Sequence, residues 1–282
     1  MTKWNLIVDV ASCTNCNNCT LAVQDEYVGN DWPGYAAEMP KHGHHWIDIK
    51  RMERGAYPML DVAYVPTMCQ HCDDPPCMKV AKNDAVQKRD DGIVIIRPER
   101  AKGQRELVDA CPFGAVWWNE EKEIPQHWTF DAHLIDAGWD QPRCAQICAT
   151  SVFEAVKATD EEMDARIRRE NLRPLRSDID VRPRVWYKNL HLYDSVFIGG
   201  AVSSRTGGVE DCLEGADVTL RRDGKLLGRA STDAFGQFKF DGLDPNLGPC
   251  SVEIASGAGQ TEVVDVNISD KSLFLGDIVL AS

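Results

Sequence analysis

The sequence predicts an α+β chain in two parts: a cysteine-rich metal-binding domain with inserted loops and a connecting arm over residues 1–195, and a small all-β domain over residues 196–282. Three observations predict it. Eight of the eleven cysteines form two loops of three, Cys13-x2-Cys16-x2-Cys19 and Cys69-x2-Cys72-x4-Cys77, plus Cys111 in a Cys-Pro dipeptide and Cys148 at the end of a Cys144-x3-Cys148 pair. The second loop is followed by a hairpin pattern, a helix pattern and then Cys111-Pro112. Beyond residue 195 the cysteine grouping stops, and short β-rich runs alternate with turn dipeptides.

The elements follow in order. Residues 4–10 alternate as a strand leading into the first cysteine loop. Leu21–Tyr27 reads as a short helix stopped near Gly29, and residues 29–66, rich in Gly, Pro, Trp and His, read as an insertion over the metal core. Ala85–Lys88, a turn at Asp91-Gly92, and Ile93–Ile96 form a hairpin. Pro98 opens a helix whose Leu107 and Val108 face inward before Cys111. Residues 115–160 return toward the first loop, and Thr159-x-x-Glu162 is a capping box for a helix ending near Asn171. Residues 172–195 are polar and Pro-punctuated, a linker or an arm laid along a partner, with Val185-Trp186-Tyr187 as a short strand. Strands are expected at Val218–Leu220, Phe238–Phe240, Val252–Ile254 and Ile278–Leu280, with turns at Asp223-Gly224 and Asp241-Gly242. Cys212 and Cys250 fall in this part and read as buried free thiols rather than a disulfide.

The cysteine spacing carries the chemistry. A cubane [4Fe–4S] cluster takes four thiolates, of which a tight loop supplies three and a distant residue the fourth. Two loops of three and two distant single cysteines add up to two complete sets. Zinc is the competitor, but a zinc knot uses paired Cys-x2-Cys loops, often with His, and has little use for a third cysteine close by. His42, His44 and His45 sit together without clear co-ligands, and Glu120-Glu121 reads as a solvated turn. A formal net charge of −13, from 44 acidic against 31 basic residues, argues against nucleic acid as a partner. No apolar run approaches the ~20 residues that span a bilayer, and the N-terminus carries no signal peptide or twin-arginine motif, so a cytoplasmic location is expected.

With these residues in hand, the chain resembles the ferredoxin-type iron–sulfur subunits of molybdopterin oxidoreductases. Within that family it is most similar to small subunits of the pyrogallol–phloroglucinol transhydroxylase type. The resemblance runs over nearly the whole length, through Cys16-Asn17-Asn18-Cys19, Trp32-Pro33-Gly34-Tyr35, Arg54-Gly55-Ala56-Tyr57-Pro58, Cys111-Pro112-Phe113-Gly114, Trp118-Asn119-Glu120-Glu121 and Pro183-Arg184-Val185. It continues into Asp211–Ala216 and Phe235–Phe240 of the β-domain, which is expected to be a sandwich of the carboxypeptidase-regulatory or Cna-B kind.

The resemblance implies a ferredoxin-like fold and a pairing of ligands: Cys13, Cys16, Cys19 and Cys148 on a first [4Fe–4S] cluster, Cys69, Cys72, Cys77 and Cys111 on a second. A third cluster of the family would need thiolates where this chain has Val23, Trp128, Asp131 and Cys144, of which one is a thiol. A fourth would need them at Ala81, Gly103, Arg105 and Val108. Two clusters are therefore expected, the first nearest the partner's molybdenum. The resemblance further implies a non-catalytic electron-transfer role beside a large molybdopterin-bearing catalytic subunit acting on polyhydroxylated aromatics, with a soluble electron acceptor as a further partner. The alternative within the family is the electron-transfer subunit of a respiratory reductase of the dimethyl sulfoxide, polysulfide or nitrate type.

Overall fold

A computed structural model describes residues 1–280. It divides into two compact units: Met1–Arg51 with Tyr64–Leu190, and Met52–Ala63 with the chain from His191 onward. In chain order the first unit's elements are β1 (Lys3–Asp9), α1 (Asn18–Tyr27), the long hairpin β2 (Ile47–Ala56) and β3 (Met59–Met68), α2 (Pro76–Val80), β4 (Val86–Lys88), β5 (Val94–Ile96), α3 (Pro98–Ala101), α4 (Glu106–Asp109), β6 (Trp117–Asn119), β7 (Ile124–Gln126), α5 (Ala132–Asp136), α6 (Arg143–Ile147), β8 (Phe153–Ala158), α7 (Asp160–Glu170) and β9 (Val185–Lys188). The β2–β3 hairpin occupies the second half of the stretch read as an insertion and runs two residues beyond it, and its tip belongs to the second unit.

Two strand pairings organise the first unit. β1 is the middle strand of a three-stranded sheet, antiparallel to β8 and parallel to β9. Its run Trp4–Val8 is buried throughout, with Met163 of α7 and Leu172 just beyond that helix packed on Ile7. The capping box that starts α7 is complete, with Thr159 and Glu162 bonding each other's backbone N–H. The second pairing is the β4–β5 hairpin, whose Val86, Val94 and Ile96 form an apolar cluster with Ala101, Leu107 and Val116. The single helix expected after Pro98 is split into α3 and α4 around Gly103, which adopts a positive φ of +77°.

Residues 172–190 take part in the fold of the first unit. β9 is a full member of the β1 sheet, and Val185, Tyr187 and Leu190 are buried. The short strand expected at Val185-Trp186-Tyr187 is present as β9. Arg184, 2% exposed, anchors the segment. Its guanidinium bonds both oxygens of Asp73 and, at 2.7 Å, Asp160. Its N–H reaches the Gln70 carbonyl at 2.7 Å, and its carbonyl accepts from Leu6 at 2.8 Å.

The second unit continues with α8 (His191–Asp194), β10 (Val196–Thr206), β11 (Val209–Cys212), β12 (Asp217–Arg222), β13 (Lys225–Ser231), β14 (Gln237–Leu243), β15 (Gly248–Ala255), β16 (Thr261–Ile268) and β17 (Leu273–Leu280). One four-stranded sheet places β10 between β14 and β17 with β11 on its far end; the other has the order β13-β12-β15-β16. Alternate residues of both, including Ile198, Phe240, Leu220, Val252 and Ile268, enter one apolar cluster, the period-2 pattern of strands buried on one face. Asp223-Gly224 forms the expected two-residue turn between β12 and β13. Asp241-Gly242 does not form a turn: it lies inside β14 opposite a register shift, where Gly242 takes φ +73°. There Asp241 pairs with the buried Arg54 of the hairpin tip at 2.8 Å. All eleven cysteines are unbridged; Cys250 is buried, whereas Cys212 is exposed, contrary to expectation. No helix of the described residues is long and apolar enough to cross a membrane.

Replacing Arg184 with Met should destabilise the first unit by about 1.5–3 kcal/mol, below the ~3–5 kcal/mol of a fully buried broken pair because its carboxylate partners remain part-solvated. Burial alone would raise the Asp160 carboxyl, but Arg184 and Lys3 hold it down at about 2. A folded-state value below the unfolded ~3.9 contributes stability that is present above pH ~4 and is lost as pH falls through about 2. Denaturant unfolding should therefore show the largest deficit of Arg184→Met above pH ~5, narrowing as the pH drops below ~4.

Candidate metal–sulfur sites

The two strand pairings bring distant thiols together. Because β1 and β8 are antiparallel, the end of β1 lies beside the start of β8, and the Asp9 N–H bonds the Val152 carbonyl at 2.8 Å. Cys13 follows β1 and Cys148 precedes β8, so the ladder sets them side by side. The carboxylate of Asp9 caps the 3-10 turn Val10–Ser12 through the Ala11 N–H at 3.0 Å. The loop then coils through Asn15 and Asn17 at φ +58° and +60°, a left-handed conformation that Asn tolerates better than most residues. Cys19 enters from the first turn of α1. Cys13, Cys16, Cys19 and Cys148 line one small pocket together with Ile49, Pro66, Val152 and Phe153.

The second group repeats the construction. Antiparallel β4 and β5 bring the residues before β4 next to those after β5, which places Cys77, in the first turn of α2, near Cys111. Both pack against the β4–β5 cluster. His71, between Cys69 and Cys72, takes the left-handed conformation at φ +45°, as Asn15 does between Cys13 and Cys16. The lone cysteines also match. In Cys111–Gly114 and Cys148–Ser151 the fourth residue has φ +62° and +53° and returns its N–H to the cysteine carbonyl. The next N–H then points at sulfur, Ala115 to Cys111 Sγ at 3.4 Å and Val152 to Cys148 Sγ at 3.3 Å.

The electrostatics separate the thiols into the same two sets. Burial raises the Cys13 thiol, and Cys148 and Cys16 add to it. Burial raises Cys19 to about 11, with Cys13 and Cys148 contributing. Burial likewise pushes Cys69 well up, Cys72 to about 12 and Cys77 to about 11, and each of these three also feels Cys111. Such thiols stay protonated near neutral pH unless a metal centre draws the proton off, which couples metal loading to proton release.

The donors suit a [4Fe–4S] core. They are all thiols, the softness that holds iron–sulfur centres. Backbone N–H groups of Ala115 and Val152 point at the Cys111 and Cys148 sulfurs, an arrangement that, where such sulfurs hold a cluster, tunes its potential. A tetrahedral zinc knot gathers four ligands within ~2.3 Å of one ion. A cubane carries one thiolate per corner iron and spreads its ligands more widely.

Val23, Trp128, Asp131 and Cys144 are all fully buried. Trp128 lies against Phe130 with ring centroids 5.1 Å apart and meets His71 edge-on at 5.6 Å. Both Asp131 oxygens are engaged, by the Tyr27 hydroxyl at 2.9 Å and the Arg143 N–H at 2.8 Å. Burial raises the Cys144 thiol well above its ordinary range, and neighbouring Asp131 raises it further. Ala81 and Val108 pack against the β4–β5 cluster. His44 is spent on the Trp118 carbonyl at 3.0 Å. The residue missed by sequence reading is Lys88. Its ammonium donates to the His71 and Cys72 carbonyls at 2.8 Å each and to the Gly92 carbonyl at 2.7 Å, and pairs with Asp73 at 3.2 Å. A lysine in a hairpin strand gives no sequence sign of such a role.

A fixed cation beside the second set favours its more negative, reduced state. Lys88→Met should make a centre held by the second set harder to reduce by on the order of 1 kcal/mol, the scale of a unit charge acting at an effective dielectric of ~20. Redox titration followed by EPR would show one midpoint moving down and the other staying in place. Equal movement of both would contradict the assignment of Lys88 to the second set.

Comparison with known proteins agrees with this reading. Residues 60–158 match the 4Fe-4S dicluster domain. The pyrogallol hydroxytransferase small subunit of Pelobacter acidigallici is 44% identical over 285 aligned residues, covering 99% of this chain and 100% of that one. The arsenate respiratory reductase iron-sulfur subunit ArrB of a Shewanella species is 28% identical over 50% of this chain and 55% of its own. A tetrathionate reductase subunit of Salmonella typhimurium is 26% identical over 70% of this chain and 75% of its own. The chain belongs to the iron–sulfur subunits of the molybdopterin oxidoreductases, in the family of the pyrogallol hydroxytransferase small subunit.

Proposed function

We propose that Cys13, Cys16, Cys19 and Cys148 hold one [4Fe–4S] cluster and Cys69, Cys72, Cys77 and Cys111 a second, and that this chain is the electron-transfer subunit of a molybdopterin enzyme acting on polyhydroxylated aromatics. The observation that carries the reading is the repeated construction of the two thiol groups, each a coiled three-cysteine loop closed by a cysteine whose sulfur receives a backbone N–H. When bound, such clusters supply one-electron storage and transfer. The N–H groups of Ala115 and Val152 stabilise the negative sulfurs, Lys88 adds a positive charge to the second set, and the exposed Cys16 brings the first set to the surface, where a catalytic partner can dock.

Two clusters, and not three, fit the side chains at the remaining positions. Val23 and Trp128 offer no metal-binding atom, and both oxygens of Asp131 already accept hydrogen bonds. A transhydroxylation moves no net electrons, so two separated clusters suffice for it; a hydroxylase of phenols such as resorcinol exports two electrons and would use the second set as its port to a soluble acceptor. In this reading the second unit is a β-sandwich of the carboxypeptidase-regulatory or Cna-B kind that braces the assembly, supported by two four-stranded sheets sharing one apolar cluster. Eleven unbridged cysteines suit a reducing cytoplasm.

Anaerobic purification through a tag on this chain should recover a larger molybdenum-bearing subunit in equal amount, and the complex should hydroxylate or transhydroxylate trihydroxybenzenes. Recovery of the chain with iron but no molybdenum would sink the proposed partnership. A complex that reduces dimethyl sulfoxide or tetrathionate and ignores ring substrates would favour a respiratory reductase.

A further inference from the structure

Helix α6 has five residues, too short to be stable alone, yet it ends at Cys148, which is its C-cap. Its N-terminus has no local support, because Pro142 at the N-cap position offers no side-chain acceptor. The acceptor comes from outside: Asp131 Oδ2 takes the Arg143 N–H at 2.8 Å. The other oxygen, Oδ1, takes the hydroxyl of Tyr27, the last residue of α1, at 2.9 Å, and that hydroxyl lies 2.8 Å from Thr129 Oγ1. A second tie runs parallel. The Arg143 guanidinium bonds Glu26 at 2.6 Å and Asp25 at 2.8 Å, both on α1, and Glu26 is held in turn by His133 at 2.8 Å. Tyr27, Glu26, Asp131 and His133 are all buried. One end of this clamp is therefore α1, which carries Cys19, and the other is α6, which carries Cys148.

We propose that Asp131 is a positioning residue for the first cysteine set: by joining Tyr27 of α1 to the N-terminus of α6 it sets Cys148 relative to Cys19, and it takes no part in binding metal itself. A bound cluster tolerates ligand displacements of only about 0.5 Å, whereas an uncapped helix of this length frays by a residue or more, about 1.5 Å of rise each. The second set shares none of these contacts, so the effect of losing the clamp should be confined to the first. The inference rests on the two-cluster reading, and the wild-type complex, which must show two clusters, tests that reading separately.

The test uses the assembled complex with Asp131→Ala and Asp131→Asn, the two EPR signals having been assigned with Cys148→Ser and Cys111→Ser. An Asn at this position still offers one oxygen to Arg143, while the Tyr27 hydroxyl turns to donate to Thr129 and accepts from the amide. Under an anaerobic iron-chelator challenge Asp131→Ala should lose the first signal about 10–100-fold faster than wild type, the usual cost of removing an outer-shell partner. The second signal should decay at the wild-type rate, and Asp131→Asn should restore most of the first. Wild-type decay of both signals in Asp131→Ala, equal acceleration of both, or no rescue by Asn would each overturn the proposal.

Discussion

Antiparallel pairing at the ends of two short strand pairs governs the rest of the first unit. A thiol loop alone supplies three ligands at close spacing, and a fourth must arrive from more than thirty residues away in one case and more than a hundred in the other. The β1–β8 and β4–β5 ladders meet that requirement, because each places the end of one strand beside the beginning of another. Cys13 and Cys148 lie within five residues of their ladder's paired segments, whereas Cys77 and Cys111 lie farther out, on α2 and just after α4. Register therefore matters more than strand length: a one-residue slip would turn every side chain to the opposite face and carry the lone cysteine away from its loop. The buried faces of Leu6 and Val8 in one ladder, and of Val86, Val94 and Ile96 in the other, hold that register.

Polar side chains then finish what the ladders begin. Arg184 ties β9 to the Asp73 of the second loop and to Asp160 at the start of α7, so the three-stranded sheet and the second thiol group are positioned by one guanidinium. Lys88 does the same at closer range for the carbonyls of His71 and Cys72. Around the first group the task falls to Asp131, Tyr27 and the Glu26–Arg143 pair. Each set thus has its own polar support, and Trp128 and Phe130 pack beside His71 where further thiolates would have been needed.

Much of this is legible in the amino-acid sequence, and the reasons for the exceptions are physical. Cysteine spacing, the Asp91-Gly92 hairpin turn, the Thr159–Glu162 capping box and the strand at Val252–Ile254 are local patterns, and the corresponding elements are present. The β2–β3 hairpin is hidden because Lys50, Arg51, Glu53 and Arg54 interrupt its apolar alternation, although Arg54 is buried against Asp241 and Asp61. The short strand expected at Val185–Tyr187 is present as β9, but its parallel pairing with β1, some 180 residues earlier, has no local signal. Asp241-Gly242 looks like a turn because the same dipeptide serves a β-bulge. In sequence Asp131 resembles a failed ligand; only the positions of Tyr27 and Arg143 show that it is occupied as a cap.

The proposed function requires that eight thiols form two complete sets and that no third centre exists. Iron and acid-labile sulfide per chain, measured on the anaerobically purified complex together with EPR of its reduced state, test it most directly. The account predicts about eight irons, about eight sulfides and two cubane signals. About twelve irons with a third signal would mean that Asp131 and Cys144 ligate iron after all, and the assignment of Asp131 to the α1–α6 clamp would fall with it.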